Sequence, residues 1–161
     1  MILPRYRITP PAEVVSRLNR HFLSNTGASQ FFTMIYGILD KKTREFRYVA
    51  GHLGSSLSQF PLKHWRNRRH PSWTSPPATY EEHTLTLSQG GRLFLCTDGI
   101  SGAQNEAKEE FGCARLLEAL DVSRDLTLGD ALSSVFEDVE KWSAPARATD
   151  DVSILAIECC A

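Results

Sequence analysis

Three aspartates stand beside apolar runs of the sequence, where their carboxylates could bind a cation. Asp98 follows the apolar run Leu93–Cys96, and Asp150 and Asp151 directly precede the run Val152–Ile157. If these runs form neighbouring strands, the carboxylates converge at one edge of a sheet. Clustered carboxylates repel each other, and their hard oxygen atoms suit Mg²⁺ or Mn²⁺. A pair of such ions could activate water and stabilise the oxygens of a phosphoryl transfer.

The same residues also have a purely structural interpretation. An Asp-Gly pair after a strand is common in turns, and acidic residues before a strand are common as solvated caps. The aspartates alone therefore leave a metal site and ordinary turn chemistry as open alternatives.

Hydrophobic spacing predicts the elements that must position these aspartates. In chain order they are a helix at 11–24, a hairpin with strands 31–39 and 46–50, a second hairpin with strands 84–87 and 92–96, helices at 111–120 and 128–142, and a final strand at 152–157. The helix at 128–142 has the clearest apolar stripe, from Ala131 through Val135 to Trp142. Strands joined by tight turns favour antiparallel sheets, and grouped helices favour the α+β class.

The segment Ser58–Thr79 fits none of these elements. It is rich in Pro, Arg and Trp, has no Val or Ile, and shows neither helical nor strand periodicity. A loop of this length is usually functional or disordered. One interpretation is a surface loop; the other is a nucleic-acid patch, with arginines contacting phosphates and tryptophans stacking on bases.

Composition argues against several classes of partner. The formal net charge is −1, which provides no overall attraction to nucleic acid or anionic lipid. The first residues contain no apolar run typical of a signal peptide or a membrane span. The four cysteines show no C-x-x-C spacing, so we expect reduced structural thiols. A cytoplasmic protein without nucleic-acid or membrane partners is the expectation.

Five segments of the chain carry a further signal: residues 32–40, 47–52, 80–85, 91–100 and 149–155. Taken together and in this order, they resemble the PPM-type (protein phosphatase type 2C-like) serine/threonine phosphatases of the SpoIIE/RsbU branch. The resemblance implies an α+β fold of two packed antiparallel β-sheets flanked by helices (an αββα sandwich) without its N-terminal strands. It also implies one partial phosphatase domain over residues 1–161, with 58–79 as a divergent loop.

The resemblance further implies a cofactor and a set of ligands. The complete domain binds two Mn²⁺ or Mg²⁺ ions, and its ligand positions correspond to Asp98 and Asp150 here, with Asp151 as an occasional ligand or a neighbour of the ligands. No side chain is assigned as a catalytic acid or base. The family also has two upstream aspartate motifs, whereas this sequence has no aspartate before Asp40, which lies in the predicted hairpin turn. The chain is thus expected to hold only part of the metal site.

The function implied is that of a metal-dependent phosphoserine/phosphothreonine protein phosphatase in a bacterial regulatory pathway. Its expected substrate is a phosphorylated regulatory protein such as an anti-sigma-factor antagonist, and an upstream sensor or receiver domain is a possible further partner. The alternative is a degenerate, non-catalytic interaction module that keeps the fold.

Overall fold

Two antiparallel sheets form the strand framework of the protein. The computed structural model describes residues 8–26, 34–51, 56–59, 63–66, 80–145 and 151–160. Its elements are α1 (Pro11–Thr26), β1 (Met34–Asp40), β2 (Glu45–Gly51), β3 (Ser56–Gln59), β4 (Lys63–Arg66), β5 (His83–Thr86), β6 (Arg92–Cys96), α2 (Asp98–Ser101), α3 (Gly112–Val122), α4 (Leu128–Ser143) and β7 (Ile154–Glu158). The strand orders are β1-β2-β5 and β4-β3-β6-β7, so the sheets have three and four strands.

The three-stranded sheet and helix α1 belong to one compact unit. The unit includes a small apolar core in which Val15 of α1 and Val49 of β2 are both almost fully buried. Met34 and Tyr36 of β1 pack against that core. On β2, the rings of Phe46 and Tyr48 stack with centroids 5.2 Å apart.

The turn between β1 and β2 is held by Asp40. Its Oδ1 accepts hydrogen bonds from the backbone N–H groups of Lys42 and Thr43, at 2.8 and 3.1 Å. The N–H groups of Thr43 and Lys42 lower the pKa of the Asp40 carboxyl, because they stabilise its charged form. This carboxylate is therefore already used by its own turn.

The four-stranded sheet and helices α2, α3 and α4 belong to the second unit. Strand β6 lies inside this sheet, between β3 and β7, and is antiparallel to both. The helices cover the sheet through one continuous apolar core. Its buried members are Phe94, Cys96, Ile100, Ala103, Phe111, Leu116, Ala119, Leu120, Val135 and Val139.

Arg92 is the first residue of β6, and its side chain links this strand to the last residue of β7 and to the turn between α3 and α4. Its Nε donates to Glu158 at 2.8 Å, and its Nη atoms donate to the carbonyls of Arg124 and Leu126 at 3.1 and 2.7 Å. Because the Arg92 side chain is 12% exposed, its ion pair with Glu158 is shielded from water more than a surface pair is. The residue thereby fixes the helical layer at this end of the sheet.

The structure confirms the α+β class, with two antiparallel sheets and flanking helices. The predicted first hairpin is present as β1 and β2, and the predicted helices at 11–24, 111–120 and 128–142 correspond to α1, α3 and α4. The stripe on α4 is also confirmed, since Ala131, Val135 and Val139 are buried. Within the described residues, no helix has both the length and the apolar character needed to cross a membrane.

The predicted second hairpin is wrong. Strand β5 pairs with β2, whereas β6 pairs with β3 and β7, so the two strands belong to different sheets. The reason lies in the glycine turn between them. Gly90 donates to the carbonyl of Cys159, and Cys159 donates to Gly91, so this turn extends the β6–β7 ladder instead of closing a hairpin.

Two short strands fall in or next to the segment expected to be irregular. Strands β3 and β4 form an antiparallel pair, and β3 also pairs with β6. Their sequences lack β-branched residues and were not assigned as strands, because β6 supplies the pairing partner that local propensity does not reveal. Residues 67–79 lie outside the described part, and a divergent loop stays a prediction for them.

The core behind the four-stranded sheet gives a direct test of this packing. Leu116→Ala should lower the free energy of unfolding by about 2–5 kcal/mol, because Leu116 is almost fully buried and the change leaves a cavity. The matched control is Val122→Ala in the same helix, where the side chain is 78% exposed. It should change the free energy by less than about 0.5 kcal/mol. Equal effects in urea denaturation would contradict the assigned core.

Candidate metal centre

Strand β6 brings Asp98 to the end of a buried strand. Leu93, Phe94 and Cys96 are all buried, so the strand is anchored along its length. Burial, together with the nearby Cys113 thiol, raises the pKa of Cys96 to about 12. At neutral pH this thiol is protonated, and it acts as a small apolar side chain rather than as a thiolate ligand.

The strand turns directly into the short helix α2, whose first residue is Asp98. The backbone carbonyl of Asp98 accepts a hydrogen bond from Gly102 at 2.7 Å, which closes the helical turn. Its side chain is exposed and makes no hydrogen bond or ion pair with any described residue. A fixed backbone therefore presents an oxygen donor that the rest of the described chain does not use.

Thr97 ties this turn to the segment that leads into β7. Its Oγ1 lies 3.1 Å from the carbonyl of Asp151 and 3.3 Å from that of Ser153, and its proton serves one of them at a time. The same oxygen accepts the N–H of Ser153 at 2.9 Å. The backbone N–H of Thr97 also donates to Ser153, at 3.0 Å. The end of β6 and the approach to β7 are thus joined by both backbone and side chain.

Gly99 allows the closest approach of the two segments. A Cβ at this position would overlap the carbonyl oxygen of Asp151 and would fall 2.9 Å from its carbonyl carbon. Gly99 is itself buried. Only a glycine leaves room for the Asp151 backbone here, so the contact explains why a glycine follows Asp98.

The structure brings Asp98 and Asp151 into adjoining segments, as the sequence predicts for neighbouring strands. Both residues are exposed. Asp150 lies outside the described residues, and its predicted role as a ligand stays a prediction. Asp40 accepts hydrogen bonds from the backbone of its own β1–β2 turn.

The donors that are present suit a hard divalent cation. Carboxylate oxygens are the ligands that Mg²⁺ and Mn²⁺ prefer. Over the described ranges, no group of three or more His, Cys, Asp and Glu residues is placed to hold an ion. The carboxylates of Asp98 and Asp151 are of the kind that such a cation prefers, and their role as ligands stays a prediction.

Sequence reasoning missed the residues that hold the two segments together. From the sequence alone, Thr97, Gly99 and Ser153 receive no positioning role. The signal was available, since a threonine and a glycine flank the aspartate at the end of an apolar strand. Their contacts with residues 151–153 depend on the antiparallel pairing of β6 and β7, which local sequence does not state.

The glycine contact yields a paired test. Gly99→Ala should lower the free energy of unfolding by about 1–3 kcal/mol, because the new methyl group overlaps the Asp151 carbonyl. Gly129→Ala is the control, since a Cβ in that helical position meets nothing within 4 Å. It should leave the stability unchanged or raise it by up to about 1 kcal/mol. Guanidinium denaturation measures both, and a neutral Gly99→Ala would contradict the contact.

Comparison with known proteins assigns the chain to a family. The model of the Stage II sporulation protein E (SpoIIE) family matches residues 5–159. The curated protein IcfG of Synechocystis sp. is 30% identical over 95 residues, which cover 57% of this chain and 15% of that protein. The chain thus spans only a small part of this relative's length.

Solved structures share the fold at low sequence identity. The SiaA-PP2C domain of Pseudomonas aeruginosa matches with a TM-score of 0.76 and 19% identity, over 92% of this chain and 61% of that one. The phosphatase domain of SpoIIE from Bacillus subtilis, presoaked with Mn, matches with a TM-score of 0.61 and 11% identity, over 98% and 77%.

A third structure contains the RsbU and RsbW domains of a Mycobacterium tuberculosis protein. It matches with a TM-score of 0.65 and 19% identity, over 94% of this chain and 42% of that one. At these identities the structural matches establish the fold, while the family model covers nearly the whole chain. The chain belongs to the SpoIIE family, and it shares its fold with the PP2C and SpoIIE phosphatase domains of these solved structures.

Proposed function

We propose that this chain contributes part of the active site of a metal-dependent phosphoserine/phosphothreonine protein phosphatase. The observation that carries the proposal is the exposed Asp98 carboxylate, which has no partner among the described residues and lies in a turn fixed against Asp151. Membership of the SpoIIE family supports a phosphatase assignment. A solved relative that was presoaked with Mn supports the choice of cation.

In this proposal Asp98, Asp150 and Asp151 supply oxygen ligands for two Mn²⁺ or Mg²⁺ ions. When bound, such ions would activate water for attack on phosphorus and neutralise the charge of the phosphoryl oxygens. The described residues bind and orient. Asp98 offers its carboxylate from a closed helical turn, and Thr97 and Gly99 hold residues 151–153 next to that turn.

The proposed substrate is a phosphorylated regulatory protein, such as an anti-sigma-factor antagonist. Support comes from similarity to a protein with RsbU and RsbW domains and from the family match. An upstream sensor or receiver domain is a further proposed partner. Since the chain spans less than two thirds of the length of the SiaA domain, substrate and partners belong to the proposal for the complete protein. We propose a cytoplasmic location for it.

A second function, a non-catalytic interaction module, has its own observation. No cluster of three metal-binding side chains occurs within the part of the chain that the structure covers. The carboxylate of Asp40, the aspartate nearest the N-terminus, accepts hydrogen bonds from its own turn. On this alternative the fold is retained for binding a regulator, and Asp98 is a surface residue.

Binding of Mn²⁺ separates the two candidates. Asp98→Asn should weaken Mn²⁺ binding at least about tenfold, because it removes a charged ligand while keeping the side-chain shape. Asp125→Asn is the control, since Asp125 is a 90% exposed aspartate in the α3–α4 turn. It should bind Mn²⁺ as the parent does, as measured by calorimetry. Parent-like binding by Asp98→Asn would remove the metal site from the proposal.

Hydrolysis by the 161 residues alone is expected to be weak. Without upstream aspartate motifs the chain supplies only part of the ligands, so Mn²⁺-dependent turnover of p-nitrophenyl phosphate should stay near the uncatalysed background. A colorimetric assay with and without Mn²⁺ measures it. Brisk turnover that Asp98→Asn abolishes would contradict the partial site and would also end the non-catalytic alternative.

A further inference from the structure

The hydroxyl of Thr97 does not make the hydrogen bond that is expected at its position before a helix. Thr97 precedes α2 with extended backbone angles, φ −76° and ψ 161°, as an N-cap residue does. A threonine in this position normally accepts a hydrogen bond from an N–H of its own helix. Thr97 makes no such bond, and its hydroxyl contacts the backbone at Asp151 and Ser153 instead.

A second threonine in the same unit serves as an internal comparison. Thr127 precedes α4 with nearly the same backbone angles, φ −60° and ψ 157°. Its Oγ1 accepts the N–H of Asp130 at 3.2 Å and donates to the Asp130 carboxylate at 2.7 Å, so it caps its own helix. Two threonines of like conformation thus use their hydroxyls differently, and only Thr97 reaches across to another segment.

The contacts of Thr97 coincide with the two aspartate-bearing segments. The residue is bonded to Asp98 on one side, and its hydroxyl reaches the backbone of Asp151 and Ser153 on the other. A serine would keep the hydroxyl. A valine has nearly the same shape but would leave the Ser153 N–H without its Oγ1 acceptor and the Asp151 carbonyl without its donor.

We propose that Thr97 is a positioning residue of the cation site, whose hydroxyl fixes the spacing between Asp98 and residues 151–153. This inference rests on the proposed function, since it assumes that the aspartates bind Mn²⁺ or Mg²⁺. Groups that hydrogen-bond to metal-ligating side chains commonly change metal affinity by about 10–100-fold when they are replaced, and we expect the lower end of this range for contacts with the adjoining backbone. Thr97 would act in this way through the backbone of the ligand segments.

The test compares Thr97→Val, Thr97→Ser and Thr127→Val in the same chain. Thr97→Val should weaken Mn²⁺ binding about tenfold, and Thr97→Ser should bind as the parent does. Thr127→Val removes a helix cap, so it should lower thermal stability without changing Mn²⁺ affinity. Calorimetric titration and thermal unfolding give the two readouts. Parent-like affinity of Thr97→Val, or an equal loss in Thr97→Ser, overturns the inference.

Amide hydrogen exchange separates this inference from the proposed function. If the parent binds Mn²⁺ and Thr97→Val binds equally well, the role of Thr97 is wrong while the metal site stands. If the parent does not bind Mn²⁺, the metal site is wrong. The hydroxyl contact is then judged alone: faster exchange of the Ser153 amide in Thr97→Val supports it, and unchanged exchange overturns it.

Discussion

The antiparallel pairing of β6 and β7 is the constraint on which the candidate site depends. It sets the end of one strand beside the beginning of the other, which places residues 97–99 against residues 151–153. Each of these hydrogen bonds makes a net contribution to stability of only about 0.5–1.5 kcal/mol, so their main effect is on geometry rather than on stability. Gly99 adds a steric condition, because the contact with Asp151 leaves no room for a side chain.

The apolar core of the second unit packs against both of the segments that make this contact. Ile100 of α2 is fully buried in that core, and Val152 packs against it from the segment before β7. Each aspartate-bearing segment is therefore anchored one or two residues away from its exposed carboxylate. Close-packed protein cores resist small displacements.

Much of the fold could be predicted from sequence, because helix α4 and the β1–β2 hairpin carry their signals locally. The α4 stripe repeats with helical spacing, and the hairpin has a polar turn around Asp40. The pairing of β5 could not be predicted, since the glycines after it suggest a hairpin that the sheet does not form. The sequence does not predict strands β3 and β4, because both are only four residues long and neither contains a β-branched residue.

The sequence indicates where Asp98 and Asp151 lie, but it does not indicate which residues hold their segments together, and the role of the aspartates as ligands stays a prediction. The position of Asp98 after an apolar strand was visible, whereas the reach of the Thr97 hydroxyl to Ser153 depends on strand register. The strand junction brings the exposed residues Asp98 and Asp151 into adjoining segments, and the cation site proposed there rests on these two positions. Experiments on metal binding and on catalysis therefore both address the β6–β7 junction.

Paramagnetic broadening by Mn²⁺ in a two-dimensional ¹⁵N NMR spectrum tests the central claim most directly, because it detects even a weakly bound ion near assigned amides. The account predicts that low Mn²⁺ concentrations broaden the amide signals of residues 97–99 and 151–153 together, while those of the α3–α4 turn stay sharp. Broadening at only one of the two segments, or at neither, would contradict a cation site at the β6–β7 junction.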